Sequence, residues 1–219
     1  MAPESPLADR SRMEKQVAFA FPTPIGQCVV PGSEAVNEAL RRVILEKAGV
    51  LPSENYSNAG GWHSKADLLE WPYPEVATLK GWIFEAVQHM VQATFQMMEG
   101  SQVRSGSQGN LKIVAWANIC RTGDYHRMHN HPGSAWSGVY YVTAGTEAPD
   151  HPLSGQLELV DPRPYTEMVP TPGSPFGQKL LVKAQPGMMV LFPGWLYHCV
   201  NPYFGTGERI SIAFNAMPV

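Results

Sequence analysis

The sequence predicts a mainly β protein with N-terminal helices and a core of jelly-roll, sandwich or barrel type. Apolar residues recur with a helical period in two stretches of the first half, whereas the second half consists of short β-branched and aromatic runs separated by glycine and proline. Because 44% of the residues are hydrophobic, the chain can form a packed core. We expect a disordered leader at 1–18 and one domain at 19–219, with a helical part at 19–110 and a jelly-roll part at 111–219.

Two helices are expected in the helical part. The first begins after Ser33, a residue type that commonly caps helix N-termini, and ends at Gly49. The second covers 74–100, where apolar residues follow spacings of three and four. The polar residues at 101–110 predict a flexible connector. An edge strand is expected at 19–25, because its prolines are incompatible with a central strand.

Seven segments of the jelly-roll part have the composition of β-strands, with β-branched or aromatic residues bounded by turn residues. They are 111–120, 138–143, 155–161, 179–184, 188–193, 198–201 and 208–215. Since the helices come first and most strands come later, we expect the helices to pack against one sheet of a single β core.

Charge and cysteine content exclude several classes of function. Sixteen basic and nineteen acidic residues give a net charge of -3 without a basic run, so no nucleic-acid partner is expected. No apolar run approaches the roughly 20 residues that span a bilayer, so no membrane partner is expected either. Cys28, Cys120 and Cys199 are too widely spaced for a disulfide framework or a zinc site, which favours a reducing compartment. We therefore expect a cytoplasmic protein.

A cluster of histidines is the strongest chemical signal in the sequence. The segment 123–141 contains three of the seven histidines. His129 and His131 are two residues apart, so their side chains point to the same side if the segment is extended. His198 lies far downstream in an apolar stretch. Two imidazoles from one segment and one from a remote strand would form an open metal site, with positions left for water, substrate or oxygen.

Arg209 and Ser211 form a second candidate site. They share one face of a predicted strand whose other residues are apolar, and an unpaired arginine would be costly there. A guanidinium is a planar, permanently charged group that suits a carboxylate, and the serine hydroxyl can add a donor. The alternative is a surface salt bridge. We favour a site for a carboxylate.

The order of motifs within 116–215 resembles that of the 2-oxoglutarate- and Fe(II)-dependent oxygenases, in particular their prolyl-hydroxylase-like members. The matching motifs are His129-x-His131, Ser137-Gly-Val-Tyr-Tyr141, the Pro186-Gly187 turn, the distal His198 and Arg209-x-Ser211. Trp116-x-Asn118 and Gly60-Gly-Trp-His-Ser64 resemble a bacterial branch of the family. The resemblance implies a double-stranded β-helix (jelly-roll) core.

The resemblance also implies that His129, His131 and His198 bind Fe(II). His131 departs from the family pattern, because an aspartate usually occupies this position. Three neutral imidazoles would leave the full 2+ charge on the metal, which a dianionic 2-oxoglutarate could neutralise. Glu158 and Asp161 are the alternative carboxylate ligands, and the two-residue spacing favours His131 over both.

For the co-substrate, the resemblance implies that Arg209 and Ser211 bind the 5-carboxylate of 2-oxoglutarate. Tyr140 or Tyr141 would add a phenol. Arg163 would compete with Arg209 if its side chain faced the cleft, although a local ion pair within Asp161-Pro162-Arg163 is the simpler interpretation.

Asn118 is a candidate for orienting a ligand histidine or the substrate, as amides around metal sites do. His126 has the wrong parity for the face of His129, so we expect it at the surface or around the ligands, and His63 is expected to be structural.

The predicted activity is oxidation, and specifically hydroxylation, of an unidentified small-molecule or peptide substrate by molecular oxygen. A homodimer is among the expected assemblies. A cupin-like dioxygenase could instead use three histidines without 2-oxoglutarate, with Arg209 binding the substrate itself. A jelly-roll module with a structural metal is the non-enzymatic alternative. A zinc hydrolase is less consistent with the sequence, because no acidic general base lies beside the histidines.

Overall fold

The computed structural model describes residues 21–98, 110–163 and 179–219. The leader expected at 1–18 and nearly all of the expected connector, 101–109, lie outside these ranges. Two α-helices, α1 (Glu34–Val50) and α2 (Pro74–Met98), flank a short 3-10 helix at Leu68–Glu70. Neither helix, as far as the structure describes it, has an apolar stretch long enough to cross a membrane.

The described residues form thirteen strands, most of them short. They are β1 (Gly26–Val29), β2 (Asn58–Ala59), β3 (Trp62–His63), β4 (Leu111–Cys120), β5 (Tyr125–His129), β6 (Trp136–Thr143), β7 (Thr146–Glu147), β8 (Leu157–Leu159), β9 (Leu180–Val182), β10 (Met188–Pro193), β11 (His198–Val200), β12 (Gly205–Thr206) and β13 (Arg209–Pro218). The strands predicted at 111–120 and 188–193 match β4 and β10. The other five predictions overlap β6, β8, β9, β11 and β13, whereas β5 was not among the predicted strands.

Six strands form the larger sheet in the order β1-β10-β6-β13-β4-β3. Both helices pack against it through an apolar cluster that includes Leu40 of α1, Leu79 and Ile83 of α2, and Ile212 of β13, all of them at most 1% exposed. Burying each such side chain stabilises the fold by about 1.5–3 kcal/mol. The expected packing of the helices on one sheet is confirmed.

Five strands form the smaller sheet in the order β2-β5-β11-β8-β9, and β7 pairs with β12 in a separate two-stranded sheet. A second apolar cluster joins the two larger sheets, with Tyr141 and Phe192 from the larger sheet and Leu157 and Leu159 from the smaller one. Because β11 pairs with β5 on one side and with β8 on the other, it is central in the smaller sheet. This is a jelly-roll arrangement of two facing sheets.

The start of the described chain differs from prediction in two details. Ser33 precedes α1 but makes no capping hydrogen bond with its side chain. Its Oγ instead lies 3.4 Å from Nδ2 of Asn37, which donates to it. The predicted edge strand at 19–25 begins outside the described residues, and its described part, 21–25, is not a strand. The first described edge strand is β1, which pairs with β10 at the edge of the larger sheet. The proline-rich stretch therefore leads into the edge strand instead of forming it.

Candidate metal centre

Three histidine side chains converge between the two sheets. His129 ends β5, His131 follows two residues later, and His198 begins β11 directly opposite His129 in the antiparallel pairing. One nitrogen of each ring lies within 4.8 Å of the corresponding nitrogens of the other two. The ring centroids are 4.2 Å apart for His129 and His198 and 5.1 Å apart for the other two pairs. This spacing would allow all three rings to contact one metal ion.

Hydrogen bonds at Nδ1 orient two of the three rings. The Nδ1–H groups of His129 and His198 each donate to the backbone carbonyl two residues earlier, at 2.6 Å and 2.9 Å. A neutral imidazole carries one N–H, so these bonds leave the lone pair at Nε2. His131 differs, because its Nδ1 lies 3.3 Å from the side-chain nitrogen Nδ2 of Asn215.

Burial keeps these imidazoles neutral. It lowers the pKa of His198 to about 3 and that of His131 to about 4, and the neighbouring imidazoles add to the effect. Burial also lowers the pKa of His129. Metal ligation requires the unprotonated ring. All three rings are therefore ready to bind a metal at neutral pH without first losing a proton.

The histidines line a cavity of about 650 Å³ between the two sheets, which is within the usual size range of ligand pockets. Its lining also includes Arg209, Ser211, Tyr141 and Phe192. Among the described residues that line it, none is an aspartate or glutamate. The fixed charge of the cavity wall is therefore positive.

Arg209 is 1% exposed, and its guanidinium carbon lies 5.1 Å from the centre of the Tyr141 ring. Within the described structure, its Nε and Nη1 have no hydrogen-bond partner, and neither has the Tyr141 hydroxyl. A guanidinium remains charged in proteins, and a buried charge without a partner is strongly destabilising. An anionic ligand in the cavity would supply the missing acceptors.

A family model described as "Putative 2OG-Fe(II) oxygenase" matches residues 114–215. The match begins within β4 and ends within β13, so it spans the three histidines, Arg209 and Ser211. Over this segment the protein is similar to the 2OG-Fe(II) oxygenases. That family consists of oxidoreductases that use iron(II), 2-oxoglutarate and molecular oxygen to oxidise an organic substrate. A comparison with curated proteins gave no match.

Solved structures share the fold of this protein. A prolyl-4-hydroxylase from Pseudomonas putida aligns with a TM-score of 0.63 and 16% identity, over 89% of this chain and 92% of that one. A Trichoplax adhaerens prolyl hydroxylase, solved with a peptide fragment of hypoxia inducible factor, aligns with a TM-score of 0.53 and 14% identity, over 88% of this chain and 84% of that one. A 2OG-Fe(II) oxygenase family protein from Burkholderia pseudomallei aligns with a TM-score of 0.52 and 16% identity, over 88% of this chain and 85% of that one. At these identities the similarity establishes the fold, and it confirms the double-stranded β-helix core.

The donor set of the three histidines fits iron(II). Imidazole nitrogen is a suitable ligand for iron, and three rings on one side leave coordination positions free. The three rings are uncharged, so they do not compensate the charge of the ion. The buried guanidinium of Arg209, whose Nε and Nη1 have no hydrogen-bond acceptor among the described residues, lines the same cavity and fits the negative charge of a co-substrate.

The two candidate tyrosines face opposite sides of the larger sheet. Tyr141 lines the cavity and pairs in register with Ser211. The expectation for Tyr140 is corrected: this side chain is fully buried on the helix side, and its hydroxyl donates to Oδ1 of Asn37 at 2.7 Å. Consecutive strand residues point in opposite directions, so only one of the two tyrosines can reach the cavity.

The alternative carboxylate ligands lie elsewhere. Oε1 of Glu158 is 2.8 Å from Nζ of Lys179, and Oδ2 of Asp161 is 2.6 Å from Nη2 of Arg163. Neither carboxylate belongs to the metal-ligand cluster found in the described residues. Arg163 is paired locally and does not line the cavity, so it does not compete with Arg209 for an anion.

Asn118 lines the cavity, where its Oδ1 has no hydrogen-bond partner in the described structure. The amide that contacts a histidine of the cluster is instead Asn215, which the sequence analysis missed. Asn215 follows Arg209 and Ser211 at two-residue steps on β13, so alternation along the strand could have identified it.

Ser57 and His126 are further neighbours of the metal cluster. Oγ of Ser57 lies 3.4 Å from Nε2 of His129 and 3.5 Å from Nδ1 of His126. His126 is 8% exposed and lines the cavity, because the register between β5 and β11 shifts and breaks simple alternation. Its position agrees with the second of the two expected locations, around the ligands. Ser57 lies in a loop without a recognisable pattern.

Proposed function

We propose that the protein is an Fe(II)- and 2-oxoglutarate-dependent dioxygenase that hydroxylates its substrate, with His129, His131 and His198 as the iron ligands. The observation that carries this proposal is the buried guanidinium of Arg209, which has no acceptor at Nε or Nη1 and lines the same cavity as the three histidines. The cavity thus combines the donors for a metal with a site for an anion.

Arg209 would bind the 5-carboxylate of 2-oxoglutarate. A guanidinium can donate two parallel hydrogen bonds to a carboxylate, and such charge-assisted bonds are stronger than neutral ones. Ser211 is two residues along β13 and on the same side of the strand, so its hydroxyl can donate to the same carboxylate. The unpaired hydroxyl of Tyr141 is a third donor at this end of the cavity.

The charges of the site are complementary to the co-substrate. The three imidazoles are neutral, and the described lining contains no carboxylate that would repel an anion. When bound, iron(II) and 2-oxoglutarate supply the oxygen activation that side chains alone cannot provide. The protein contributes the positions of the reactants and the exclusion of water from the site.

We further propose that the substrate is a small molecule or a peptide that enters past Tyr56 and Met128. Both residues line the cavity, and they are 69% and 48% exposed, as expected at an entrance. From Tyr56, aromatic rings continue through His63 and Trp116 to His131, with centroids 5.1 to 5.8 Å apart. This aromatic wall suits apolar or planar parts of a substrate. A peptide is included because the Trichoplax enzyme was solved with one.

Turnover of 2-oxoglutarate is the direct test. Purified protein is incubated with Fe(II), ascorbate, 2-oxoglutarate and pools of small molecules or peptides, and succinate is measured together with a gain of one oxygen atom in any pool member. The expected result is succinate formation that requires Fe(II) and is lost in Arg209→Ala. Cys28→Ser, at an exposed position outside the cavity, is the matched control.

Two results would contradict the proposal. Oxygen consumption that needs Fe(II) and a substrate but not 2-oxoglutarate would favour the cupin-like dioxygenase, in which Arg209 binds the substrate's own carboxylate. A tightly bound metal without exchangeable coordination positions, and without turnover of any pool, would favour the binding module.

A further inference from the structure

Asn215 is the one amide that contacts the histidine cluster, as far as the described residues show. It lies on β13 opposite Ser137 of β6, and both residues line the cavity. Its Nδ2 is 3.3 Å from Nδ1 of His131, while its own Oδ1 is buried without a hydrogen-bond partner. The amide therefore has one end at a candidate ligand and the other end unsatisfied.

This contact matters because the three histidines differ at Nδ1. Backbone carbonyl oxygens lie 2.6 Å from Nδ1 of His129 and 2.9 Å from Nδ1 of His198. A carbonyl oxygen can only accept a hydrogen bond, so Nδ1 of each ring must carry the proton. Both rings are thereby held with Nε2 unprotonated. His131 has an amide at this place, and an amide can present either its oxygen or its NH2 group.

The orientation of the amide determines whether His131 can ligate. If the NH2 group donates to Nδ1, the ring's proton must be on Nε2, and Nε2 cannot bind a metal. A half-turn of the amide places the oxygen at Nδ1 instead. Nδ1 then carries the proton, Nε2 is free, and the previously unpaired oxygen accepts a hydrogen bond.

We infer that Asn215 is a positioning residue for the metal site, whose amide oxygen accepts the Nδ1–H of His131 when a metal is bound. It thereby replaces, for the third histidine, the backbone carbonyls that orient the other two. Asn215 is needed because position 131 holds a histidine instead of an aspartate. A metal-bound histidine requires a hydrogen-bond acceptor at Nδ1, whereas an aspartate does not. This inference depends on the proposed metal site.

Cobalt(II) binding to the full-length protein tests the inference without relying on activity. Co(II) is titrated anaerobically into wild type, Asn215→Val and Asn215→Asp, and the visible ligand-field absorption reports binding. Losing the partner of a metal-bound histidine typically lowers metal affinity about 10- to 100-fold, and we expect this loss for Asn215→Val. Asn215→Asp retains an acceptor oxygen but no NH2 group, so its affinity should be at least that of wild type.

The same titrations in a His131→Asp background separate positioning from a general effect on cavity shape. A carboxylate at 131 has no N–H for the amide oxygen to accept, so Asn215→Val should cost far less affinity there than in wild type. Proton NMR of the Co(II) protein gives a second readout. Three exchangeable ring N–H signals are expected in wild type, and the signal of His131 should be lost or exchange rapidly in Asn215→Val.

Distinct results would overturn the inference. If Asn215→Asp and Asn215→Val lose Co(II) affinity equally, the effect belongs to the NH2 group of Asn215. If Asn215→Val loses as much Co(II) affinity in the His131→Asp background as in wild type, the effect belongs to cavity shape. If wild type binds Co(II) and all Asn215 variants bind it with the same affinity, the positioning role is refuted while the metal site stands. If wild type fails to bind Co(II), the proposed metal site itself fails. Thermal unfolding of the metal-free variants shows whether each of them is folded.

Discussion

His198 pairs directly with His129 across β5 and β11, and their ring centroids are 4.2 Å apart. The two residues are remote in sequence, so it is the backbone register of the smaller sheet that brings them together. His131 joins them from just beyond the end of β5. Two of the three candidate ligands therefore lie on paired strands, which favours fixed ligand geometry at these two positions.

Metal affinity should depend on the three clustered histidines and much less on their neighbour His126. His131→Ala removes a candidate ligand, so its effect should exceed the roughly 100-fold loss that removal of a ligand's hydrogen-bond partner can cause. His126→Gln serves as the control, because His126 lines the same cavity but lies outside the ligand cluster. Anaerobic competition with a chelator measures both affinities. A similar loss in the two variants would argue against the assigned ligand set.

Replacing Tyr140 and Tyr141 by phenylalanine should separate stability from co-substrate binding. Tyr140→Phe leaves Oδ1 of Asn37 buried without its 2.7 Å donor, which should reduce the free energy of unfolding by about 1–3 kcal/mol. Tyr141→Phe removes a hydroxyl that has no partner in the described structure, so stability should change little while the affinity for 2-oxoglutarate falls. Urea denaturation and calorimetric titration distinguish the two effects. If Tyr140→Phe instead lowered the affinity for 2-oxoglutarate and Tyr141→Phe lowered the free energy of unfolding, Tyr140 would be the tyrosine that reaches the co-substrate.

Gly138 should tolerate no side chain, because a Cβ at this position would overlap the Phe214 ring and come within 2.8 Å of the Val190 carbonyl oxygen. Overpacking of this kind typically costs about 1–3 kcal/mol, so Gly138→Ala should lower the melting temperature. Gly81→Ala is the matched control: its Cβ would enter open space within α2, and alanine is the better helix former by about 1 kcal/mol. A neutral Gly138→Ala would show that β6 and β13 can separate at low cost.

The metal-free protein should lose stability as the pH falls below about 6.5. Burial lowers the folded-state pKa of His126 and of His198 to about 3. Above about pH 6.5 these two histidines are unprotonated in both the folded and the unfolded protein. Between about pH 6.5 and 3 they bind protons in the unfolded protein but not in the folded one. Each histidine then reduces the free energy of unfolding by up to about 1.4 kcal/mol per pH unit.

Urea denaturation of the metal-free protein at several pH values between about 7 and 5 measures this slope. His126→Gln should reduce the slope by about one proton. If wild type and His126→Gln had the same slope, His126 would be accessible to protons in the folded state.

The strand pattern was largely predictable from sequence because most core strands combine β-branched residues with clear turn signals. The predicted bounds of 111–120 and 188–193 match β4 and β10. β5 was missed as a strand because its sequence, Tyr-His-Arg-Met-His, lacks an apolar alternation. Its polar side chains face the cavity or solvent, so burial does not impose the usual pattern.

The members of the candidate site were predictable where spacing alone determines direction. The two-residue steps of His129-x-His131 and Arg209-x-Ser211 correctly indicated side chains that share a cavity. Adjacent tyrosines could not be distinguished, because the sequence does not show which face of β6 meets the helices. Ser57 could not be found, because its contact with His129 depends on a loop and on the pairing of β2 with β5. The roles of the histidines, Arg209 and Ser211 in binding iron and 2-oxoglutarate remain predictions.

The central claim is that the histidine cluster and Arg209 together hold iron(II) and 2-oxoglutarate, and anaerobic visible spectroscopy tests it most directly. Titrating 2-oxoglutarate into the Fe(II)-loaded protein should produce the metal-to-ligand charge-transfer band of a chelated 2-oxo acid. In Arg209→Ala, half-saturation should require about 10- to 100-fold more 2-oxoglutarate, because hydrogen bonds to a charged group contribute about 1.5–3 kcal/mol. A protein that binds iron but gives no band, or a band that is unaffected by the loss of Arg209, would contradict the account.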